Sequence, residues 1–432
     1  MESIVKVMKY EIVCPVNSDW DTMGKYLRDV QYAVWKTSNI SIQMMWDYQN
    51  FSFGYKTRFG KSLKFSDLGT GKSQSSDMYK KAIDDFPYAS SSSLNMAVQK
   101  AGIRFNKMKP DILKGAVSIP SFKKDIPIPI RAPRTYITKE AGDYLIKFAL
   151  LSQSFAKENG VPVNYIVKTR TKSAGKAILD RIISGEYTLC DSEILRKGRK
   201  WYVCVAYKFT PEQRRLSKEN VAGVDVGIAN AAVVAVNSGW DRLYIEGGEI
   251  NAFRKRVEHR RKQLLRQGKY CGNGRRGRGR KTKLRPIETI SEKAANFRKT
   301  TNHKYARAIV NFALKNSCGV IQMEDLSSIS EKKSAFLKTW PYHDLQTKIK
   351  RKAAEYGIEV RLISPKYTSQ RCSKCGHIAE GNRKSQAEFK CTLCEFETHA
   401  DYNAAKNIST PGIETLIENE LARVEMERKF AG

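Results

Sequence analysis

The sequence predicts a multidomain α+β protein: a small β-barrel whose chain is interrupted by a helical segment, then an α/β domain carrying an inserted metal ribbon. Three observations predict it. At 432 residues the chain is long enough for two to four domains, each with its own core. Strand-like runs lie at both ends of residues 3 to 209, with helical patterns between them. Two Cys-x-x-Cys pairs stand directly before a helical pattern near the C-terminus.

Residues 3–15 alternate apolar and polar as a strand does, and Pro15 is expected to stop it. Met23, Leu27, Val30 and Val34 recur at helical spacing behind an N-cap at Ser18 or Asp19, which predicts a helix to about Asp47. Residues 59–76 are polar and glycine-rich. Their GTGKS invites comparison with a phosphate-binding P-loop, but that spacing needs glycine where Ser66 stands, so the segment is read as a solvated loop. A second helix is expected over Ser92–Met108, ended by the Lys109-Pro110 step. Residues 116–133 contain Pro120, Pro127, Pro129 and Pro133, which suit an extended connector and no helix or central strand. Apolar runs at 144–151, 163–170, 187–195 and 200–209 return the chain to the barrel, with a hairpin turn at Arg196–Arg199 and a helix over Ala174–Ser184.

The character then changes. VAGVDVGIANAAVVAV (221–236) is a glycine-punctuated apolar run with one acid, Asp225, followed by a hairpin-like stretch at 242–250. Residues 254–285 are intensely basic, helical in their first part and not in the glycine-arginine part. A helix is expected over Ser291–Lys315, a buried strand over 318–326 ending at Glu324 and Asp325, a helix over 340–357 and a strand over 358–364.

Charge narrows the function. Seventy-seven lysines and arginines against 44 aspartates and glutamates give +33, and self-repulsion of that size needs a counter-charge. A polyanion supplies it, because each neutralised phosphate releases condensed counterions. No stretch approaches the roughly 20 apolar residues of a membrane span, and the first ten residues lack a signal-peptide core, so a cytoplasmic protein is expected. Nine cysteines are too few and too unevenly placed for a disulfide framework.

Four of those cysteines form the sharpest signal. Cys372, Cys375, Cys391 and Cys394 make two knuckles fifteen residues apart, the spacing at which four thiolates hold one structural zinc with no open position for water. Gly376 suits the backbone that follows a knuckle; Glu395 holds the equivalent place in the second, which is expected to be strained or differently turned. Three acids sit where acids are expensive: Asp225 in an apolar strand, Glu324 at the end of another, and Asp401 opening the helical DYNAAKNI. Each has a bland account as a cap or a solvated strand end. Brought together, as a ribonuclease H-like sheet would bring them, they can hold two magnesium ions at a phosphodiester.

GVDVGIAN, NFRKTTNHKYARAIV with IQMEDL, and YTSQRCSKCG…FKCTLC…ADYNAAKNI resemble the RuvC and zinc-ribbon signature of transposon-encoded TnpB proteins and their CRISPR-associated relatives. KVMKYEIV, SIPSFKKDIPI, ILDRIISGEYTL and EGGEINAFRKRVEHRRKQLLRQGKY resemble the miniature type V-F CRISPR effector nucleases. The resemblance implies a wedge β-barrel (1–18 and 121–215), a helical recognition domain (19–120), a RuvC nuclease (216–366 and 399–432) and a zinc-ribbon target-binding module (367–398). It implies an RNA-guided endonuclease that reads a T-rich flanking motif on double-stranded DNA and cuts both strands with one site. Asp225, Glu324 and Asp401 are then the magnesium-binding triad, the four cysteines hold zinc, and a guide RNA is shared by a homodimer. Arg383, in the ribbon loop, is a candidate for reaching the scissile phosphate, against the alternative of a solvated arginine. Arg254, Arg256, Arg260, Arg261, Arg266, Lys269, Arg275, Arg276, Arg278 and Arg280 are candidates for nucleic-acid contact, since arginine forks bind phosphate in pairs. A TnpB-type nuclease with another guide source, and an inactive binding regulator, are the competing readings.

Overall fold

The computed structural model describes residues 3–68, 73–211, 214–227, 230–270, 280–325 and 342–431, and the chain divides into two units, Met1–Thr210 and Pro211–Gly432. In the first unit, β1 (Ile4–Pro15) leads into α1 (Trp20–Phe59). The Asp19 carboxylate caps that helix, accepting from the Thr22 amide at 2.8 Å. Met23, Leu27, Val30 and Val34 are all buried, as their spacing predicts. The helix nevertheless runs about three turns beyond Asp47. The sequence offers no firm stop before Gly60, which closes the helix by donating to the Lys56 carbonyl at 2.9 Å.

A helix that the loop reading missed, α2 (Gln74–Asp85), starts within the polar segment; the Ser73 hydroxyl caps it by accepting from the Ser76 amide. Residues 69–72 of the GTGKS stretch lie outside the described residues. Next comes α3 (Ser91–Leu113), which continues through Pro110 rather than ending there. Ile112 in its last turn is buried with Ile42, Met45 and Phe105, and that packing outweighs the proline.

Six strands and two short helices complete the unit: β2 (Ile128–Ile130), β3 (Thr135–Glu140), β4 (Asp143–Ala149), α4 (Gln153–Glu158), β5 (Asn164–Arg170), α5 (Ser173–Ile183), β6 (Thr188–Lys197) and β7 (Lys200–Phe209). They join β1 in one sheet of order β2-β6-β7-β1-β5-β4-β3. The proline-rich connector thus contributes a strand, at the edge where proline is tolerated. The two edge strands are separated by only four residues of chain, and Thr135 Oγ1 donates to the Arg131 carbonyl across that connection. The sheet must therefore curl until its edges meet, which is the barrel-like form expected. Tyr10, Ile146, Phe148, Tyr165, Val203 and Val205 fill its interior against Met23, Leu27 and Val30.

The second unit opens with β8 (Ser217–Asp225), β9 (Asn230–Val236) and β10 (Arg242–Glu246), so the apolar run is two strands and the hairpin-like stretch is one. Two long helices follow, α6 (Gly248–Lys269) and α7 (Arg280–Lys315), the latter beginning eleven residues before the expected Ser291. Phe253 and Phe297 stack between them at 3.9 Å. Then come β11 (Cys318–Glu324), α8 (Tyr342–Ala354), β12 (Glu359–Ile363), the ribbon strands β13 (Glu388–Lys390) and β14 (Glu397–His399), α9 (Ala400–Ser409) and α10 (Ile413–Ala431). The main sheet runs β10-β9-β8-β11-β12, antiparallel on the β8–β9–β10 side and parallel from β8 through β12. This is the mixed, ribonuclease H-like sheet expected.

Both faces of the sheet are covered. Val224, Val234, Ile321 and Met323 pack against Tyr305, Ile309, Leu345 and Ile349 of α7 and α8, while Val233 and Ala235 meet Tyr402 and Ala405 of α9. On the α9 side the backbones nearly touch. A Cβ on Gly223 would fall 2.2 Å from the Ser409 nitrogen and 2.3 Å from the Ala405 oxygen. Neither is a side chain that can swing away. Gly223→Ala is therefore expected to destabilise the second unit by about 3 kcal/mol or more, read as a lowered midpoint of its denaturant unfolding against the wild-type chain.

Candidate active site and metal centre

Parallel pairing of β8 with β11 sets the first two acids. Gln322 is in register with Gly223 and Met323 with Val224, so Glu324 and Asp225 stand side by side where the two strands end. The side-chain alternation of a strand puts both on the face that Gly223 presents to α9. The third acid comes from that helix: Asp401 is in the first turn of α9, capped by His399, whose Nδ1 accepts from the Asp401 amide at 3.2 Å. Asp401 is 7% exposed, and the three acids predicted from separate parts of the sequence share one locality.

Electrostatics register the crowding. Burial first, then the neighbouring Glu324 and Asp401 carboxylates, push the Asp225 carboxyl up to about 8, with Arg383 pulling the other way. Glu324 is also raised, chiefly by burial; a hydrogen bond from Thr368 and the charge of Arg383 oppose the shift. Hard oxygen donors that repel one another in a buried place suit a divalent cation such as magnesium.

Neighbouring side chains hold two of the acids, Glu324 and Asp401. Thr368 Oγ1 lies 2.6 Å from Glu324 Oε1, and Gln346 donates to the Glu324 carbonyl at 2.7 Å. Asn230 Nδ2 donates to Asp401 Oδ2 at 3.0 Å. Arg383 Nη2 is 3.6 Å from Asp401 Oδ1, so the ribbon arginine reaches the acids rather than extending into solvent. Its loop is pinned by the wholly buried Asn382, which donates to the Gln370 carbonyl and accepts from the Thr392 amide. Sequence reading passed over Asn230, Thr368, Gln346 and Asn382, because a lone amide or hydroxyl has no distinguishing spacing. Asn403 and Asn407 did carry a signal, being one helical turn apart. Both donate to the Arg371 carbonyl at the root of the ribbon.

The four cysteines converge as a separate centre. Their sulfurs all lie within 4.8 Å of one another, with Cys372 to Cys394 at 3.8 Å and Cys375 to Cys391 at 3.6 Å. Four sulfurs around a metal at about 2.3 Å would stand roughly 3.8 Å apart, so the cluster fits a tetrahedral zinc. Among the described residues it is the one group of three or more His, Cys, Asp and Glu side chains this tight. The knuckles are near copies: Gly376 donates to the Cys372 carbonyl at 2.9 Å and Glu395 to the Cys391 carbonyl at 3.1 Å. Glu395 takes the same left-handed backbone, φ 56° beside 84° for Gly376. The second knuckle is thus strained but not differently turned.

Of the basic candidates, Arg256, Arg260, Arg261, Arg266 and Lys269 are exposed along α6, and Arg254 is half-buried. Arg275, Arg276 and Arg278 lie outside the described residues; Arg280 opens α7 and its side chain lies outside them too. No helix among the described residues is long and apolar enough to cross a membrane.

A family model described as Cas12f1-like, TNB domain, matches residues 342–408, and one described as a probable transposase matches residues 204–330. The CRISPR-associated endodeoxyribonuclease Cas12f1 of Sulfoacidibacillus thermotolerans is 42% identical over 421 residues, covering 97% of this chain and 100% of that protein. The Cas12f1 of Syntrophomonas palmitatica is 40% identical, covering 71% and 70%. A putative RNA-guided DNA endonuclease, InsQ, of Escherichia coli is 25% identical over 52% of this chain and 57% of its own length. In structure, a chain from a Cas12f1–sgRNA–target DNA complex aligns with a TM-score of 0.74 at 22% identity, covering 95% of this chain and 99% of that one. The sheet that pairs Asp225 with Glu324, the ribbon that ends on Asp401 and a relative 42% identical from end to end lead to one conclusion: the chain belongs to the Cas12f1 family.

Proposed function

We infer that this protein is a CRISPR RNA-guided DNA endonuclease whose single site cuts both strands of a target beside a T-rich motif. The observation that carries the reading is the meeting of Asp225, Glu324 and Asp401 at one end of the sheet, in a chain 42% identical to a named endodeoxyribonuclease. The alternative of a TnpB-type nuclease keeps the same chemistry, but the putative RNA-guided endonuclease InsQ matches at 25% and the two Cas12f1 proteins at 40–42%. An inactive regulator is disfavoured by the complete acid set.

In this reading Asp225, Glu324 and Asp401 hold two magnesium ions, which when bound position a water and stabilise the leaving oxygen of a phosphodiester. Asn230 fixes the orientation of the Asp401 carboxylate before any cation arrives. Arg383 stands beside Asp401 with a guanidinium able to bind the phosphate that is cut. The exposed arginines of α6, with the glycine-arginine stretch that follows, run along the guide or heteroduplex backbone. The zinc cluster is structural: it fixes the ribbon that carries Arg383 and ends on Asp401. The protein acts in the cytoplasm of a bacterium or archaeon, as a homodimer on one guide RNA. Phe51, Phe53 and Phe59, exposed by 56, 69 and 55% at the end of α1, support the second copy, since that much aromatic surface favours cover.

Three experiments test this. With guide RNA and magnesium, Asp225→Asn, Glu324→Gln and Asp401→Asn are each expected to lower DNA cleavage about 1,000-fold, several kcal/mol of lost charge stabilisation, while guide binding persists. Arg383→Ala should cost about 100-fold; full cleavage by any of these variants overturns the role given to that residue. Elemental analysis should find one zinc per chain, lost in Cys372→Ser together with cleavage. Light scattering of the guide complex should give the mass of two chains and one RNA, falling to one chain in a Phe51→Glu, Phe59→Glu variant.

A further inference from the structure

Thr368 belongs to the YTSQ stretch ahead of the first knuckle, far in sequence from every acid and absent from the chemistry described above except as a contact. The residue is 1% exposed. The hydroxyl has one proton and two oxygens within reach, Glu324 Oε1 at 2.6 Å and the Pro365 carbonyl at 3.1 Å. The shorter distance is that of a hydroxyl donating to a charged carboxylate, so the proton points to Glu324. One carboxylate oxygen of Glu324 is thereby engaged, at the strand end that stands beside Asp225.

The Thr368 backbone faces the opposite way. Its carbonyl accepts from Asn407 Nδ2 at 2.9 Å, and Asn407 also donates to the Arg371 carbonyl at 2.6 Å and accepts from Arg371 Nη1 at 2.9 Å. One turn earlier on α9, Asn403 donates to the same Arg371 carbonyl and accepts from the Ser373 amide, between the first two cysteines. A continuous set of hydrogen bonds therefore joins the first knuckle, the helix that carries Asp401, and Glu324. Thr368 is its last member before the acids.

We propose that Thr368 is a positioning residue: its hydroxyl fixes the rotamer of Glu324 for metal binding and ties that rotamer to the seating of the ribbon root on α9. The proposal rests on the reading of Glu324 as a magnesium ligand. Thr368→Val removes the hydroxyl at nearly constant shape, and Thr368→Ser keeps it.

The test uses the full chain. Manganese binding is followed by calorimetry on the protein without RNA, and the magnesium concentration for half-maximal cleavage is measured with guide and target. Thr368→Val is expected to weaken manganese binding and raise the half-maximal magnesium concentration about tenfold or more, at unchanged zinc content, thermal midpoint and guide affinity; Thr368→Ser should behave like wild type. Equal metal responses in Thr368→Val and wild type overturn the proposal, as does a Thr368→Ser defect matching that of Thr368→Val. Should valine lower the thermal midpoint, Thr368→Ala carries the same comparison without a methyl in the hydroxyl's place. A Glu324→Gln chain that still cuts overturns the reading of Glu324 itself. A dead Glu324→Gln with a normal Thr368→Val overturns the Thr368 role alone.

Discussion

Three carboxylates gathered at one end of a buried sheet repel one another, and much of the second unit contains that repulsion. The parallel pairing of β8 and β11 forces Asp225 and Glu324 together because register leaves them no other place. The close seat of α9 on Gly223 brings the third charge up to them. Burial and mutual repulsion then raise the Asp225 carboxyl well above its ordinary range. A fold that needed only stability would not collect such groups in one place; the cost is intelligible when a counter-charge completes the site.

The ribbon answers the same constraint from another direction. Its hairpin of β13 and β14 runs directly into α9, so between the last cysteine, Cys394, and the third acid lie only two residues, one short strand and the first residue of the helix. Its loop brings Arg383 beside Asp401, and its root is fastened to α9 through Asn403 and Asn407. The ribbon is thus attached to the acid-bearing helix at both of its ends. The seating of the four-cysteine cluster can in this way govern the geometry at the acids.

Much of this was legible in the sequence, for reasons that differ by element. The cysteines and the three acids stand out because burying a charge or clustering thiols is costly, and few other causes produce such patterns. The helix over Trp20–Phe59 was found by its apolar spacing but cut short, since the residues after Asp47 lose that spacing while nothing stops the helix before Gly60. Pro110 misled for the opposite reason: a local rule was overridden by the burial of Ile112. The apolar run at 221–236 concealed the division between β8 and β9 because strands buried on both faces lack alternation. Thr368, Asn230 and Asn382 were invisible for a deeper reason. Their importance lies in the partners that the fold supplies, from 10 to 171 residues away in the chain.

The contact at Gly223 has a mechanical meaning beyond its tightness. A helix resting on side chains can creep along a sheet as those side chains change rotamer, but one whose backbone lies against another backbone is indexed like a tooth in a rack. Advancing α9 by a single residue would carry Asp401 about 1.5 Å and drive its turns into the strand. The floor of the site therefore has essentially one setting. Any adjustment around the acids falls to the long and jointed side chain of Arg383 beside Asp401.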